Sequence, residues 1–247
     1  MSNRKKFSVC INFTIAFLAM LGIGLSLVFS VEEGFSPWWT RLLYFTQQSN
    51  IWIGLTCLIM AILSVTGVTD RNDKVKKTIY LMKFTFTVSI TLTCLIFCCF
   101  LAPFADFDVW TASSILTHVL VPVLAVVDLF IDDTMFDLQK KHAYLPLLPM
   151  VYYFVFATSL SAFKVDFGRG EPFPYFFFNY FSEVGVFGFK GGEIFQMGSA
   201  YWFIIIMGMA LGFGMLYFNL HPITKSKNKG KKALAKRVLE IKNQSPS

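Results

Sequence analysis

Thr46 and His118 are the two residues of this chain best suited to carry chemistry. Thr46 stands in YFTQQSN, residues 44–50, just ahead of an uncharged run that lasts until Asp70. Five consecutive side chains there bear a hydroxyl or an amide: Thr46, Gln47, Gln48, Ser49 and Asn50. On a helix, Thr46, Ser49, Asn50 and Ile53 share one face, and Gln47 and Gln48 point about 100° and about 200° away from Thr46. Thr and Ser can satisfy themselves on a carbonyl one turn back, whereas Asn and Gln need other partners. Such a stripe either glues helices together or lines a site. His118 lies in VWTASSILTHVLVPVLAVVDLFIDD. An ionisable group at that depth is a candidate functional position, where an imidazole can act first as base and then as acid, or is satisfied by a neighbouring helix without chemistry. Ser114 is one turn earlier on the same face, placed to fix the tautomer. Pro122 has no N–H, so the His118 carbonyl loses its helical partner and a kink is expected. A hydroxyl beside an imidazole is the smallest nucleophile–base pair, and Ser49 or Asn50, with unpaired N–H groups, would support an oxyanion. Asp128 follows His118 by ten residues, about 15 Å along the axis and roughly 80° round. That spacing keeps Asp128 from orienting His118 on the same helix, so no Thr–His–Asp triad is expected, and Asp128 is expected to bind a polar group or a basic residue such as Lys83 near the inner surface.

The elements that must hold these groups are membrane helices. Of 247 residues, 55% are hydrophobic and 15% charged, against about 25% charged in soluble domains. Several uncharged runs exceed the roughly 18 residues needed to span a bilayer. They are too long and too evenly apolar for barrel strands. The expected fold is all-α, a polytopic bundle of six spans: Val9–Val31, Leu42–Val68, Ile79–Pro103, Val109–Ile131, Ala143–Phe163 and Ile194–Leu220. Lys83, near the start of the third, would snorkel to the interface. The first span follows Arg4, Lys5 and Lys6 and is read as a permanent anchor, since no small-residue cleavage site follows it. Lys and Arg number 17 in the N-terminus, the second-to-third and fourth-to-fifth loops and the tail, against 4 in the other loops. Basic loops stay in the cytoplasm, so both termini are expected inside. Thr46 and His118 then lie about 6 Å and about 13 Å below the outer edge, close enough in depth to meet.

One transmembrane domain, residues 1–220, is followed by a basic tail, residues 221–247. Leu234, Val238 and Ile241 recur in that tail at helical spacing among lysines, which suits either a helix lying on anionic headgroups or a solvated stop-transfer tail. The net charge of +7 therefore reads as topology, and nucleic-acid binding is excluded because no exposed aromatics interleave with the basic residues. The five cysteines all fall inside spans and lack metal-site spacing, so neither metal nor cofactor is expected. The segment 164–193, with EPFPYFFFNYFSEVGVFGFKGG at its centre, is far longer than a usual loop. It reads as a lid or lateral gate at headgroup depth, or as an apolar plug between helices. Within it, Tyr175 and Asn179 are candidates for substrate contact.

YFTQQSN, HVLVPVLAVVDLFID and PFPYFFFN together resemble stretches of a bacterial group of six-helix membrane proteins. That group is similar, at a distance, to the androgen-induced and androgen-dependent membrane hydrolases of animals. The resemblance implies a hydrolase of the cell membrane acting on fatty-acid esters of hydroxy fatty acids through an embedded threonine and a histidine. Those roles fall on Thr46 and His118, the pair reached above from depth. The QQSN after Thr46 is a feature of the bacterial group, and the chain between Thr46 and His118 is shorter than in the animal enzymes. The expected function is hydrolysis or acyl transfer on ester bonds of a lipid-like substrate, with Gln47, Gln48, Ser49, Asn50, Ser114, Asp128, Tyr175 and Asn179 as supporting groups. The alternative is a transporter or binding protein whose path is lined by TQQSN, His118 and Asp128.

Overall fold

A computed structural model describes residues 3–105, 108–131, 136–191 and 197–221. Every long element among them is a helix, and six are long and apolar enough to cross a membrane. They are α1 (Asn3–Val28), α2 (Phe45–Val65), α3 (Asp73–Ile96), α4 (Ala112–Ile131), α5 (Leu147–Ala162) and α6 (Ser199–Leu220). The chain is thus a multi-pass membrane protein by length and composition. The basic tail beyond His221, with its Leu234, Val238 and Ile241, lies outside the described residues, as do residues 194–196 at the expected start of the sixth span.

The helix ends differ from those read by hydropathy because local hydrogen bonding sets them. The second span does not begin at Leu42. Trp38–Leu43 forms a 3₁₀ turn, Tyr44 is extended, and α2 starts at Phe45. Thr46 is therefore in the first helical turn, where backbone N–H groups have no partner within the helix. The third helix starts six residues before Ile79, because the Asn72 side chain caps it by accepting from the N–H groups of Lys74 and Val75 at 3.1 and 3.2 Å. Thr111 caps α4 through the Ser114 N–H. Lys140–Tyr144 is a 3₁₀ turn leading into α5.

α3 is the hub and packs against α2, α4, α5 and α6, while α1 packs against α2 and α4. Small residues permit the closest approaches. A Cβ on Gly54 of α2 would sit 3.1 Å from the Ala19 Cβ of α1. A Cβ on Gly22 of α1 would sit 2.8 Å from Thr117 Cγ2 of α4. Two π turns occur, Phe97–Leu101 extending α3 and Leu116–Leu120 within α4. The second lies just before Pro122, which cannot donate to the His118 carbonyl. Its Val121 N–H bonds to the Leu116 carbonyl, five residues back, and the Thr117 carbonyl thus left free accepts from Asn50 Nδ2. The expected kink takes the form of a widened turn, a feature that recurs at functional sites.

The aromatic segment after α5 folds over the Thr46 end of the bundle. The Ser36 N–H donates to the Gly168 carbonyl at 2.8 Å, joining this segment to the loop between α1 and α2. Gly168 has φ +105°, and a Cβ there would collide with Thr40. Phe177 and Phe178 enter a buried cluster with Phe45, Leu92, Met150, Tyr153 and Trp202. This part of the segment packs as a plug between helices.

At the other end, Lys83 departs from expectation. Its side chain and that of Asp128 are both 0% exposed, with Nζ 2.5 Å from Oδ2. Lys83 does not snorkel, because it sits ten residues into α3 on the face that meets α4. The pairing of Lys83 with Asp128 holds, and Asn12 of α1 adds a long amide contact to Asp128 Oδ1 at 3.4 Å.

Candidate functional site

Thr46 Oγ1 and His118 Nε2 are 3.2 Å apart, joining α2 to the π turn of α4. The partners of the ring assign its tautomer. Nδ1 is 3.1 Å from the Ser114 carbonyl oxygen, which can only accept. Nδ1 therefore carries the proton and Nε2 is the bare nitrogen. The Thr46 hydroxyl then donates to Nε2, as an activated nucleophile requires. Ser114 does orient the imidazole, through its backbone carbonyl and not its hydroxyl. The Thr117 hydroxyl is a second neighbour of Nδ1 at 3.3 Å, itself donating to the Ser113 carbonyl at 2.8 Å. Phe97, from the π turn of α3, stacks on the imidazole with centroids 3.8 Å apart and planes 16° from parallel. One face of the ring is thereby fixed.

The remaining polar residues of YFTQQSN mostly hold Thr46 in place. Asn50 Nδ2 donates to the Thr46 carbonyl at 2.8 Å and the Thr117 carbonyl at 3.1 Å. Both amide hydrogens are thus used to tie the nucleophile's turn to the turn bearing the base. Ser49 Oγ is 3.1 Å from the Thr46 carbonyl and 2.9 Å from Thr93 Oγ1 of α3. Neither Asn50 nor Ser49 is aimed where an oxyanion would form. Gln47 Nε2 donates to Ser26 Oγ at 2.9 Å, and Gln48 Nε2 lies 3.4 Å from the carbonyls of Leu42 and Leu43.

Tyr175 supplies what those residues do not. The Thr46 N–H points to its phenol oxygen at 3.4 Å. Burial raises the phenol above its ordinary range, so it keeps its proton as a donor. The Tyr44 phenol, 5.4 Å from Tyr175 by ring centroids, is raised too, first by burial and then by Tyr175. The Tyr175 phenol, accepting from the Thr46 N–H, and the positive end of the α2 dipole both lie beside Thr46.

Thr46 and His118 both line a cavity of about 740 Å³, together with Gln47, Arg41, Arg169 and Tyr175. Arg41 is bound to Glu33 at 2.5 Å and donates from Nε to Ser26 Oγ at 2.8 Å. The guanidinium groups of Arg41 and Arg169 each lie 4.3 Å from the Phe35 ring centroid.

Two expected support residues are not at the site. Asp128 does not line this cavity, being held by Lys83 at the far end of α4. Asn179 caps a loop turn, its Oδ1 accepting from the Phe181 N–H at 3.1 Å. Among the described residues no group of three His, Cys, Asp or Glu could hold a metal. Sequence reasoning missed Phe97, Thr93, Thr117 and Arg41. A single phenylalanine among 29 carries no signal, whereas Thr117, adjacent to His118, carried one. Comparison with known protein families, curated proteins and solved structures returns no match for this chain.

Proposed function

We propose that this chain is a membrane-embedded ester hydrolase or acyl-transferring enzyme, with Thr46 as nucleophile and His118 as base and acid. One observation carries the reading: a threonine hydroxyl 3.2 Å from an imidazole nitrogen whose partner nitrogen is held protonated by the Ser114 carbonyl. Thr46 Oγ attacks the carbonyl carbon of an ester while its proton passes to His118 Nε2. The carbonyl oxygen becomes an oxyanion stabilised by the Tyr175 O–H and the positive end of the α2 dipole. The bond from carbon to the alcohol oxygen breaks, and the proton on Nε2 moves to that oxygen, leaving an acyl-threonine. Water, or a second alcohol, then attacks the acyl carbon, gives its proton to Nε2, and releases the acid or a new ester as Thr46 recovers its proton. The residues around the pair need no metal or cofactor for these steps. The basic-residue count supports placing both termini in the cytoplasm of a cell membrane, with the site in the outer half and a lipid-like substrate reaching it there.

A fluorophosphonate probe, which traps serine and threonine nucleophiles, tests the proposal. The expected result is a stable adduct that peptide mapping places on Thr46 and that His118→Ala abolishes in a folded protein. Labelling elsewhere, or none, overturns it. A transporter would need His118 and Asp128 on one continuous path; support for that reading is lacking because Asp128 is shut into an ion pair away from the His118 cavity.

A further inference from the structure

Thr46 stands where two unlike cavities meet. The wide one, about 740 Å³, has charges of both signs on its wall: Glu33, Asp108 and Glu171 with Arg41 and Arg169. The narrow one, about 50 Å³, is walled by Phe45, Met150, Phe154, Trp202, Phe203 and Ile206. Thr46, Leu101 and Tyr175 line both. His118 lines the wide cavity and is absent from the wall of the narrow one.

That asymmetry orients the substrate. After attack, the proton on His118 Nε2 must reach the departing alcohol oxygen, so the alcohol lies on the His118 side. The acyl chain, on the other side of the same carbon, is directed into the aromatic slot. Resting on the hydrolase reading, we infer that the substrate is an ester of an apolar acyl group with a bulky polar alcohol, the acyl chain in the slot and the alcohol in the charged vestibule. A hydrocarbon alcohol would strip water from carboxylates and guanidinium groups without replacing its hydrogen bonds, which is unfavourable. At about 50 Å³ the slot has room for about four small groups. Its wall includes Phe154 of α5 and Phe203 of α6, whose ring centroids are 4.1 Å apart. A longer chain must displace side chains of this wall.

The experiment measures release of free acid by the purified full-length protein from three esters: monobutyrylglycerol, hexyl butyrate and monododecanoylglycerol. Monobutyrylglycerol is expected to exceed each of the others in kcat/KM by about tenfold or more. Phe203→Ala, which opens the slot, is expected to raise the dodecanoyl-to-butyryl ratio about tenfold while leaving the glycerol-to-hexanol preference in place. Should Phe203→Ala misfold, Ile206→Phe narrows the slot and must lower the same ratio. Preference for hexyl butyrate, or a slot variant that changes alcohol preference and not acyl preference, overturns the assignment of the two cavities. So does failure to hydrolyse any of the three. Fluorophosphonate labelling of Thr46 separates the two failures: if Thr46 is labelled, only the substrate assignment falls, and if it is not, the hydrolase reading falls too.

Discussion

Asn50 uses both amide hydrogens on carbonyls of two different helices, that of Thr46 in α2 and that of Thr117 in α4. It touches no reacting atom, so its effect on catalysis runs through the distance between Thr46 Oγ1 and His118 Nε2. Asn50→Asp keeps the shape but replaces the one donor nitrogen with an oxygen facing two carbonyls. A misplacement of about 1 Å in such a pair costs about 10²-fold in rate. Asn50→Asp is therefore expected to lower kcat roughly 10- to 100-fold with KM little changed, in protein whose thermal unfolding shows it folded. A folded variant with wild-type kcat would show that the two turns hold their distance without the brace. Tyr175 is different, because the proposed mechanism uses its O–H as an oxyanion donor. Tyr175→Phe removes one oxyanion donor, and the expected loss is about 10²-fold in kcat, with the fluorophosphonate adduct forming more slowly but still on Thr46. Unchanged kcat would leave the α2 dipole as the oxyanion site.

At the scale of elements, the site is made by the places where regular helix gives way. Thr46 sits in the first turn of α2, His118 in a π turn of α4, and Phe97 in a π turn after α3. α1 presses on the second of these through Gly22, where a Cβ would lie 2.8 Å from Thr117 Cγ2 and 3.1 Å from Leu116 Cβ. Thr117 cannot easily swing away, since its hydroxyl is bonded to the Ser113 carbonyl. Gly22→Val is expected to push the π turn outward and lower kcat while destabilising the protein by about 1–3 kcal/mol. Gly24 has open space around it, so Gly24→Val in the same helix serves as the control, with activity expected near wild type. Equal losses in both variants would point to the helix backbone and not to the contact. The six helices were legible because uncharged runs are a strong, additive signal. Helical rise put Thr46 and His118 in the same half of the bundle, but depth carries no rotation, so their contact was not legible. Nor were the exact start of α2 and the two π turns, since they depend on a 3₁₀ turn and on backbone partners. Pro122 foretold a disturbance but not its form. Asp128 and Lys83 were paired from the sequence, yet Lys83 was placed at the interface because hydropathy says nothing about which face of α3 meets α4.

Across the whole molecule, the Thr46–His118 pair lies at one end and a fully buried ion pair at the other. The Lys83–Asp128 pair lies about 15 Å along α4 from His118 and bridges α3 to α4, with Asn12 drawing in α1. Two fully buried charges are tolerable only while both are present. Lys83→Met strands a carboxylate among apolar helices, and Asp128→Leu strands an ammonium. Each single change is expected to destabilise the protein by about 3–5 kcal/mol, read as a fall of roughly 10 °C in the unfolding midpoint in detergent. The double variant Lys83→Met/Asp128→Leu removes both charges and fills their space with hydrocarbon, so most of that loss should be recovered. Additive losses in the double variant would mean that the two charges act independently, against the 2.5 Å separation. The double variant carries a second readout. Since the pair touches neither Thr46 nor His118, the refolded protein should still take the fluorophosphonate at Thr46. If labelling is lost while stability returns, the ion pair serves the reaction, and the division between a catalytic end and a structural end does not hold.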